Sequence, residues 1–180
     1  MEKNNEPSGV VIKRIVLIGP ESTGKTTLAE QLANHYKTVW VQEYAREYID
    51  GLKRKYTLED IQIIAKKQIE LEDKQAKLAK TKIFCDTDLI VCKIWAENAF
   101  GKCPEWILDE IRKRHYDFYI LADIDLLWTA DGQREHQGQR EYFLNKYKND
   151  LASRKVKYGM VSGTGKDRLR NAIRVLEKKM

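Results

Sequence analysis

The stretch Gly19-Pro20-Glu21-Ser22-Thr23-Gly24-Lys25-Thr26-Thr27 constrains this chain more than any other. It lies between an apolar run, Ile15-Val16-Leu17-Ile18, and a run from Lys25 to Tyr36 in which Leu28, Leu32 and Tyr36 recur every four residues. A glycine, four residues and then Gly-Lys-Thr is the phosphate-loop pattern, and a strand before with a helix after is the context it requires. Glycines let successive backbone N–H groups turn inward toward phosphate oxygens. The following helix aims its positive end at the same anion. Lys25 supplies a point charge for the β- and γ-phosphates, and the Thr26 hydroxyl can ligate Mg²⁺. Gly19, Glu21, Ser22, Thr23, Gly24, Lys25, Thr26 and Thr27 are therefore the expected contacts of a nucleoside triphosphate.

The remaining chain reads as strands alternating with helices. Strands are expected over residues 10–18, 38–43, 82–86, 116–121 and 156–161. Helices are expected over 25–36, 89–100, 104–115 and 141–151. A closing helix carries Leu169, Ala172, Ile173 and Leu176 at i, i+3, i+4 and i+7. Thr57 and Asp60 have the spacing of a capping box, opening a helix that runs to residue 80. Its apolar stripe is Ile61, Ile64, Ala65 and Ile69, and its more polar second half is expected to project into solvent. Five strands alternating with helices predict an α/β domain with a mostly parallel sheet over residues 10–180, behind a polar tail at 1–9.

The chain has 180 residues, enough for one domain with a real core, and no apolar run of membrane-spanning length. Residues 1–9 lack the apolar segment of a signal peptide. Cys85, Cys92 and Cys103 are odd in number and form no Cys-x-x-Cys pair, which predicts reduced thiols and a cytoplasmic protein. The net charge of +6 admits nucleic-acid binding, or a lysine-rich surface around a pocket for polyphosphate. Lys66, Lys67, Lys74, Lys77, Lys80 and Lys82 are interspersed with Glu70, Glu72 and Asp73, which favours the second reading. The expected partners are a small-molecule nucleoside and a nucleoside triphosphate, with neither nucleic acid nor membrane.

In a parallel α/β sheet, ligands sit beyond the C-terminal ends of the strands. After the second expected strand come Glu43, able to take the proton of an attacking hydroxyl or to pair with Arg46, and Trp40, able to stack on a flat ring or to enter the core. After the third come Asp86, Thr87 and Asp88. Asp86 stands where a phosphate-loop protein places the acid of its Mg²⁺ shell, or where a helix cap would sit, and Asp88 directly precedes a helix it could cap. The loop after the fourth carries Asp131, Arg134 and Arg140; its arginines either stabilise a transferring phosphoryl group from a mobile lid or belong to a solvated charged loop. After the fifth, Ser162 and Gly163 open a turn expected near the adenine. Ser162-Gly163-Thr164-Gly165-Lys166 is not a second phosphate loop, because Met160 and Asp167 break the pattern. His35, His115 and His136 show no metal spacing.

Taken together, the phosphate loop, Val39-Trp40-Val41-Gln42-Glu43-Tyr44-Ala45-Arg46-Glu47, Phe84-Cys85-Asp86-Thr87-Asp88 and Trp128-Thr129-Ala130-Asp131-Gly132-Gln133-Arg134 resemble the ribosylnicotinamide kinase domain of NadR-type proteins, within the AAA-like phosphate-loop ATPases and kinases. The resemblance extends from about Val10 over nearly the whole chain. It implies a P-loop kinase fold, a five-stranded parallel sheet with a lid. It also implies ATP and Mg²⁺, and transfer of the γ-phosphate to the ribose 5′-hydroxyl of nicotinamide riboside, giving nicotinamide mononucleotide. Lys25, Glu43, Asp86, Arg134 and Arg140 are then the catalytic candidates. Trp40, Glu43, Arg46, Asp86, Asp88 and Asp131 are the substrate candidates, and Thr26 and Asp86 the metal candidates.

The chain departs from the family where Val41 and Gln42 separate Trp40 from Glu43, and where Val91-Cys92 replaces residues that are commonly threonine. Residues 1–9 stand where the bifunctional proteins carry a nucleotidyltransferase domain, so neither adenylyl transfer nor DNA-binding regulation is expected. The rival readings are a kinase for another nucleoside, a partner-binding nucleotide switch and a nucleic-acid-binding ATPase. A guanine switch would carry Asn-Lys-x-Asp after a late strand; here the chain reads Ala122-Asp123-Ile124-Asp125.

Overall fold

The computed structural model describes residues 11–132 and 134–180. Five strands form one sheet in the order β2-β3-β1-β4-β5. They are β1 (Lys13–Ile18), β2 (Trp40–Val41), β3 (Lys82–Asp86), β4 (Phe118–Ala122) and β5 (Tyr158–Val161), and every neighbouring pair is parallel. Among the described residues seven α-helices connect and cover them: α1 (Lys25–Tyr36), α2 (Tyr44–Asp50), α3 (Leu58–Ala76), α4 (Leu89–Phe100), α5 (Glu105–Lys113), α6 (Arg140–Ser153) and α7 (Gly165–Lys179). The P-loop kinase fold expected from the sequence is the one observed.

The central strand shows why the sheet is covered on both faces. Side chains alternate across a strand. Ile15 and Leu17 enter a core with Leu28, Leu32, Ala172 and Leu176 of α1 and α7. Val16 and Ile18 enter another with Ile90, Ile94, Leu144 and Leu151 of α4 and α6. All four strand residues are fully buried. Full burial of such a side chain is worth about 1.5–3 kcal/mol, so the middle of the sheet is the firmest part of the molecule. A third cluster joins α3, α4 and α5 through Ile61, Ile64, Leu89, Ile107 and Ile111, and this outlying layer walls the site.

Several boundaries differ from expectation. The polar tail, together with Val10, lies outside the described residues. β2 is two residues long rather than six: Thr38, Val39, Gln42 and Glu43 fall outside it, and the chain enters α2 at Tyr44. That helix, where no element is expected from the sequence, places Tyr44, Ala45, Tyr48 and Ile49 on one face against the third cluster. α3 opens on the expected capping box, with Thr57 Oγ1 accepting from the Asp60 N–H and Asp60 accepting from the Thr57 N–H. It ends at Ala76 rather than residue 80. Its second half is not free in solvent. Gln68 and Glu72 are buried, and Glu72 is held by ion pairs to Arg14 of β1 and to Arg114, and by the Tyr116 hydroxyl. Polar residues on that half of the helix face partners that sequence spacing does not reveal.

Candidate active site

The site lies at the C-terminal ends of β1 and β3. Gly19 leaves β1 with φ +143°, and a β-carbon there would lie 2.8 Å from the Ala122 carbonyl of β4, so no side chain fits. Gly24, at φ +72°, turns the chain into α1 from the left-handed region. Between them Thr23 Oγ1 and Lys25 Nζ both donate to the Pro20 carbonyl at 2.8 Å. Burial lowers the Lys25 pKa, and Glu43, Asp86 and Glu21 oppose that shift as its counter-charges.

β3 delivers Asp86 beside this loop, because it pairs directly with β1 and its last residue stands opposite Leu17. Thr26 Oγ1 donates to Asp86 Oδ2 at 2.5 Å. Asp86 Oδ1 is buried and accepts no hydrogen bond within the protein. A buried carboxylate oxygen without a donor calls for an explanation. A magnesium ion, which takes few protein oxygens and keeps several waters, fits this donor set of Thr26 hydroxyl and Asp86 carboxylate. Among the described residues no group of three or more His, Cys, Asp or Glu is arranged to hold a metal.

Thr87 follows at φ +70°, and its N–H donates to the Leu17 carbonyl at 3.0 Å. A β-branched residue in the left-handed region costs about 1–3 kcal/mol, and such strain clusters at functional sites. The turn separates two aspartates by environment. Asp88 accepts from the Ile90 N–H and from the Tyr119 hydroxyl, both at 2.9 Å, and caps α4. Both of its oxygens are occupied and it does not line the cavity, so the geometry favours the capping alternative over the substrate one. Burial raises its pKa to about 7, against the pull of those two hydrogen bonds.

Glu43, at the N-cap of α2, shares a groove with Asp86. Burial raises its carboxyl to about 7; Asp86 adds to the shift, and Lys25 and Arg46 oppose it. A carboxylate poised there can accept a proton near neutral pH. The phosphate loop and Glu43 open into a cavity of about 320 Å³. Its far wall is Ile64, Val91, Cys92, Trp95, Phe143 and Tyr147, with Tyr56 against Trp95 at a ring separation of 4.9 Å. Val91 and Cys92, the pair that departs from the family, lie on this wall. Trp95 and Asn98 are the residues that the sequence reading missed. They share a helical face with Val91 and Cys92, and a polar Asn98 on that otherwise apolar face was the available signal.

Trp40 does not line this cavity. Its ring is partly buried against the α1–α7 core, and it lines a separate groove that meets the cavity at Thr26, Glu43 and Arg46. β2 aims it there, since it pairs with Phe84 of β3.

The loop after β4 folds over the phosphate loop. Arg46 pairs with Asp131 at 2.7 Å, and Asp131 is 3.0 Å from Arg134 Nε. Arg134 also donates from Nη1 to Ser22 Oγ at 3.3 Å and lines the cavity. Glu21 accepts from the His136 N–H at 3.2 Å and stands 3.1 Å from His136 Nδ1. Arg140 does not join them. It donates to the Leu126 and Ile124 carbonyls, both at 2.9 Å, and lines no part of the cavity. These contacts tie it to the base of the loop. Ser162 and Gly163 also lie off the cavity; the Gly163 N–H donates to Asp125 Oδ2 at 2.5 Å.

No helix of the described residues is long and apolar enough to cross a membrane. The trifunctional NAD biosynthesis/regulator protein NadR of Escherichia coli is 29% identical over 129 residues, which are 68% of this chain and 31% of that protein. The chain thus spans about a third of the curated relatives it matches. Among solved structures, NadR protein in complex with NR superposes with a TM-score of 0.77 at 20% identity, covering 93% of this chain and 49% of that one. NadR in complex with NAD and AMP-PNP superposes equally well, at 21% identity over the same shares. The resemblance to NadR-type proteins is borne out in sequence and in fold. A model of the AAA domain matches residues 14–168, well over half of the chain, and the chain belongs to that family.

Proposed function

We propose that the protein is an ATP- and Mg²⁺-dependent kinase that transfers the γ-phosphate to the ribose 5′-hydroxyl of nicotinamide riboside, giving nicotinamide mononucleotide. The observation that carries the reading is the continuity of the phosphate loop with an aromatic-walled cavity, with Glu43 at the junction. A flat base fits against Trp95 and Tyr56, which would leave the ribose toward Glu43. Glu43 accepts the proton of the 5′-hydroxyl as its oxygen attacks phosphorus, and the bond from phosphorus to the β,γ-bridging oxygen breaks. Lys25 balances charge on the phosphates, and Arg134 approaches from the loop to stabilise the transferring oxygens. Magnesium, when bound, would neutralise charge on the phosphate oxygens, with Thr26 and Asp86 holding its shell. Closure of the loop excludes water, so ATP is spent on the acceptor rather than on hydrolysis.

The likeness to NadR proteins supports nicotinamide riboside as the acceptor. The test is to supply purified protein with Mg-ATP and a panel of nucleosides, following ADP and each monophosphate by mass. Nicotinamide mononucleotide is the expected product. Phosphorylation of a different nucleoside alone would replace the acceptor, and ADP formation without any acceptor would favour a nucleotide switch.

A further inference from the structure

The acceptor cavity is walled by α4, α6 and residues 132 and 134–136 of the loop after β4, whereas residues 123–125 and the turn after β5 line no part of it. A donor whose γ-phosphate faces that cavity would carry its base on the side of that turn, outside the cavity. One side chain joins everything there. Arg168, near the start of α7, is only 4% exposed. Its Nη1 donates to Asp125 Oδ1 and to the Gly163 carbonyl, both at 2.8 Å. Its Nη2 donates to the Thr23 carbonyl at 2.8 Å and to the Asp123 carbonyl at 3.0 Å. Asp125 in turn receives the Gly163 N–H. A single guanidinium therefore binds the phosphate loop, the loop after β4 and the turn after β5. A lysine has no planar fork with which to reproduce this.

The Thr23 contact matters for the phosphates. A trans peptide is planar, so its C=O and N–H point in opposite directions. Holding the Thr23 carbonyl toward α7 turns the Gly24 N–H the other way, toward the concave side where successive N–H groups gather an anion. The loop rests directly on this clamp: a β-carbon at Gly24 would lie 3.1 Å from Leu126 Cδ1 and 3.9 Å from Arg168 Nε.

We infer that Arg168 is the positioning residue of the donor nucleotide, locking the turn after β5 and the phosphate loop in one register so that base and phosphates bind as a unit. The inference rests on the proposed ATP-dependent reaction. It is tested by titrating Mg-ATP and Mg-tripolyphosphate, without acceptor, into wild type, Arg168→Met and Asp125→Asn, and by measuring KM for nicotinamide riboside. Loss of several charge-assisted contacts in Arg168→Met is expected to weaken ATP by about tenfold or more and tripolyphosphate by less, with KM for the riboside within about twofold. Asp125→Asn, which keeps an acceptor but loses its charge, is expected to weaken ATP by about threefold and to leave tripolyphosphate unchanged. Unchanged ATP affinity in Arg168→Met, or equal loss for ATP and riboside, overturns the inference. Should Arg168→Met fail to fold, Asp125→Asn decides: selective ATP loss supports the role and no loss overturns it. A wild-type protein that binds Mg-ATP but phosphorylates no nucleoside would defeat the functional proposal and leave the role of Arg168 intact.

Discussion

The two flanks of the phosphate loop handle buried charge in opposite ways. On the β4–β5 flank, Arg168 and Arg140 spend their Nη groups mainly on backbone carbonyls. On the β3 flank, Asp86 keeps an oxygen with no donor, and Glu43 is held beside it with its carboxyl raised to about 7 by burial and by that neighbour. Each of the two arginines leaves only its Nε without a hydrogen bond and spends its terminal nitrogens on scaffolding, while a buried carboxylate oxygen with no donor is costly and persists where a ligand completes it. The contrast recurs over two residues: Asp86 is incomplete, and Asp88 is filled by Ile90 and Tyr119. The two loop arginines differ in position rather than in completeness: Arg134, paired with Asp131 and bonded to Ser22 and the Thr129 carbonyl, lines the cavity, and Arg140, bonded to the Ile124 and Leu126 carbonyls, does not.

Substitutions can break this contrast, the largest expected effect first. Asp86→Asn keeps an acceptor for Thr26 and is expected to lower kcat by about 10³-fold with little change in Tm, because the lost charge faces the reaction rather than the fold. A kcat within tenfold of wild type would remove Asp86 from the chemistry. Glu43→Gln is expected to cost about 10²–10⁴-fold. It should also abolish a pH limb: Glu43 must be ionised to accept a proton, so wild-type kcat/KM rises with pH through about 7 and the variant profile stays flat there. Retention of full kcat would mean that Glu43 is not the base.

Trp95→Ala is expected to raise KM for the nucleoside by about tenfold through lost ring contact while leaving KM for ATP unchanged. An equal rise in both would place Trp95 in the scaffold. Arg134→Ala and Arg140→Ala sharpen the comparison as a pair. The first should lower kcat by about tenfold or more at constant Tm, and the second should destabilise by about 1–3 kcal/mol, seen in denaturant unfolding, with a smaller loss of kcat. The reverse pattern would exchange their roles.

The smallest effect tests Asp88. Its folded pKa of about 7 lies above its ordinary 3.8, so between those values the folded protein holds a proton that the unfolded chain has released. Stability therefore falls as pH rises through that window. Asp88→Asn is expected to flatten this part of the stability profile and to leave turnover within about threefold, as both hydrogen bonds can be kept by an amide oxygen and a hydroxyl partner. A large loss of kcat would return Asp88 to the substrate.

Much was legible before the structure. The phosphate loop, the limits of β3 and α4, and the capping box of α3 depend on backbone rules and periodicities that act over a few residues. β2 was overextended because Thr38 to Gln42 is rich in β-branched and aromatic residues, and only the pairing with β3 shows that Trp40 and Val41 alone enter the sheet. Trp40 and Trp95 could not be distinguished by residue type. The pairing of β2 with β3 sends one into the α1–α7 core, and the packing of α4 puts the other on the cavity wall.

The sequence by itself determined the anion-binding loop, the parallel α/β order and the candidates at the strand ends, because each follows from local geometry and the alternation of apolar residues. Only the tertiary structure decided which charges are complete. Asp86 and Asp88 have the same side chain, as do Arg134, Arg140 and Arg168. What separates them is which part of the chain each one meets: Thr26 for Asp86, Tyr119 for Asp88, Ser22 for Arg134, the Ile124 and Leu126 carbonyls for Arg140 and the Thr23 carbonyl for Arg168, and residue spacing along the chain does not encode that.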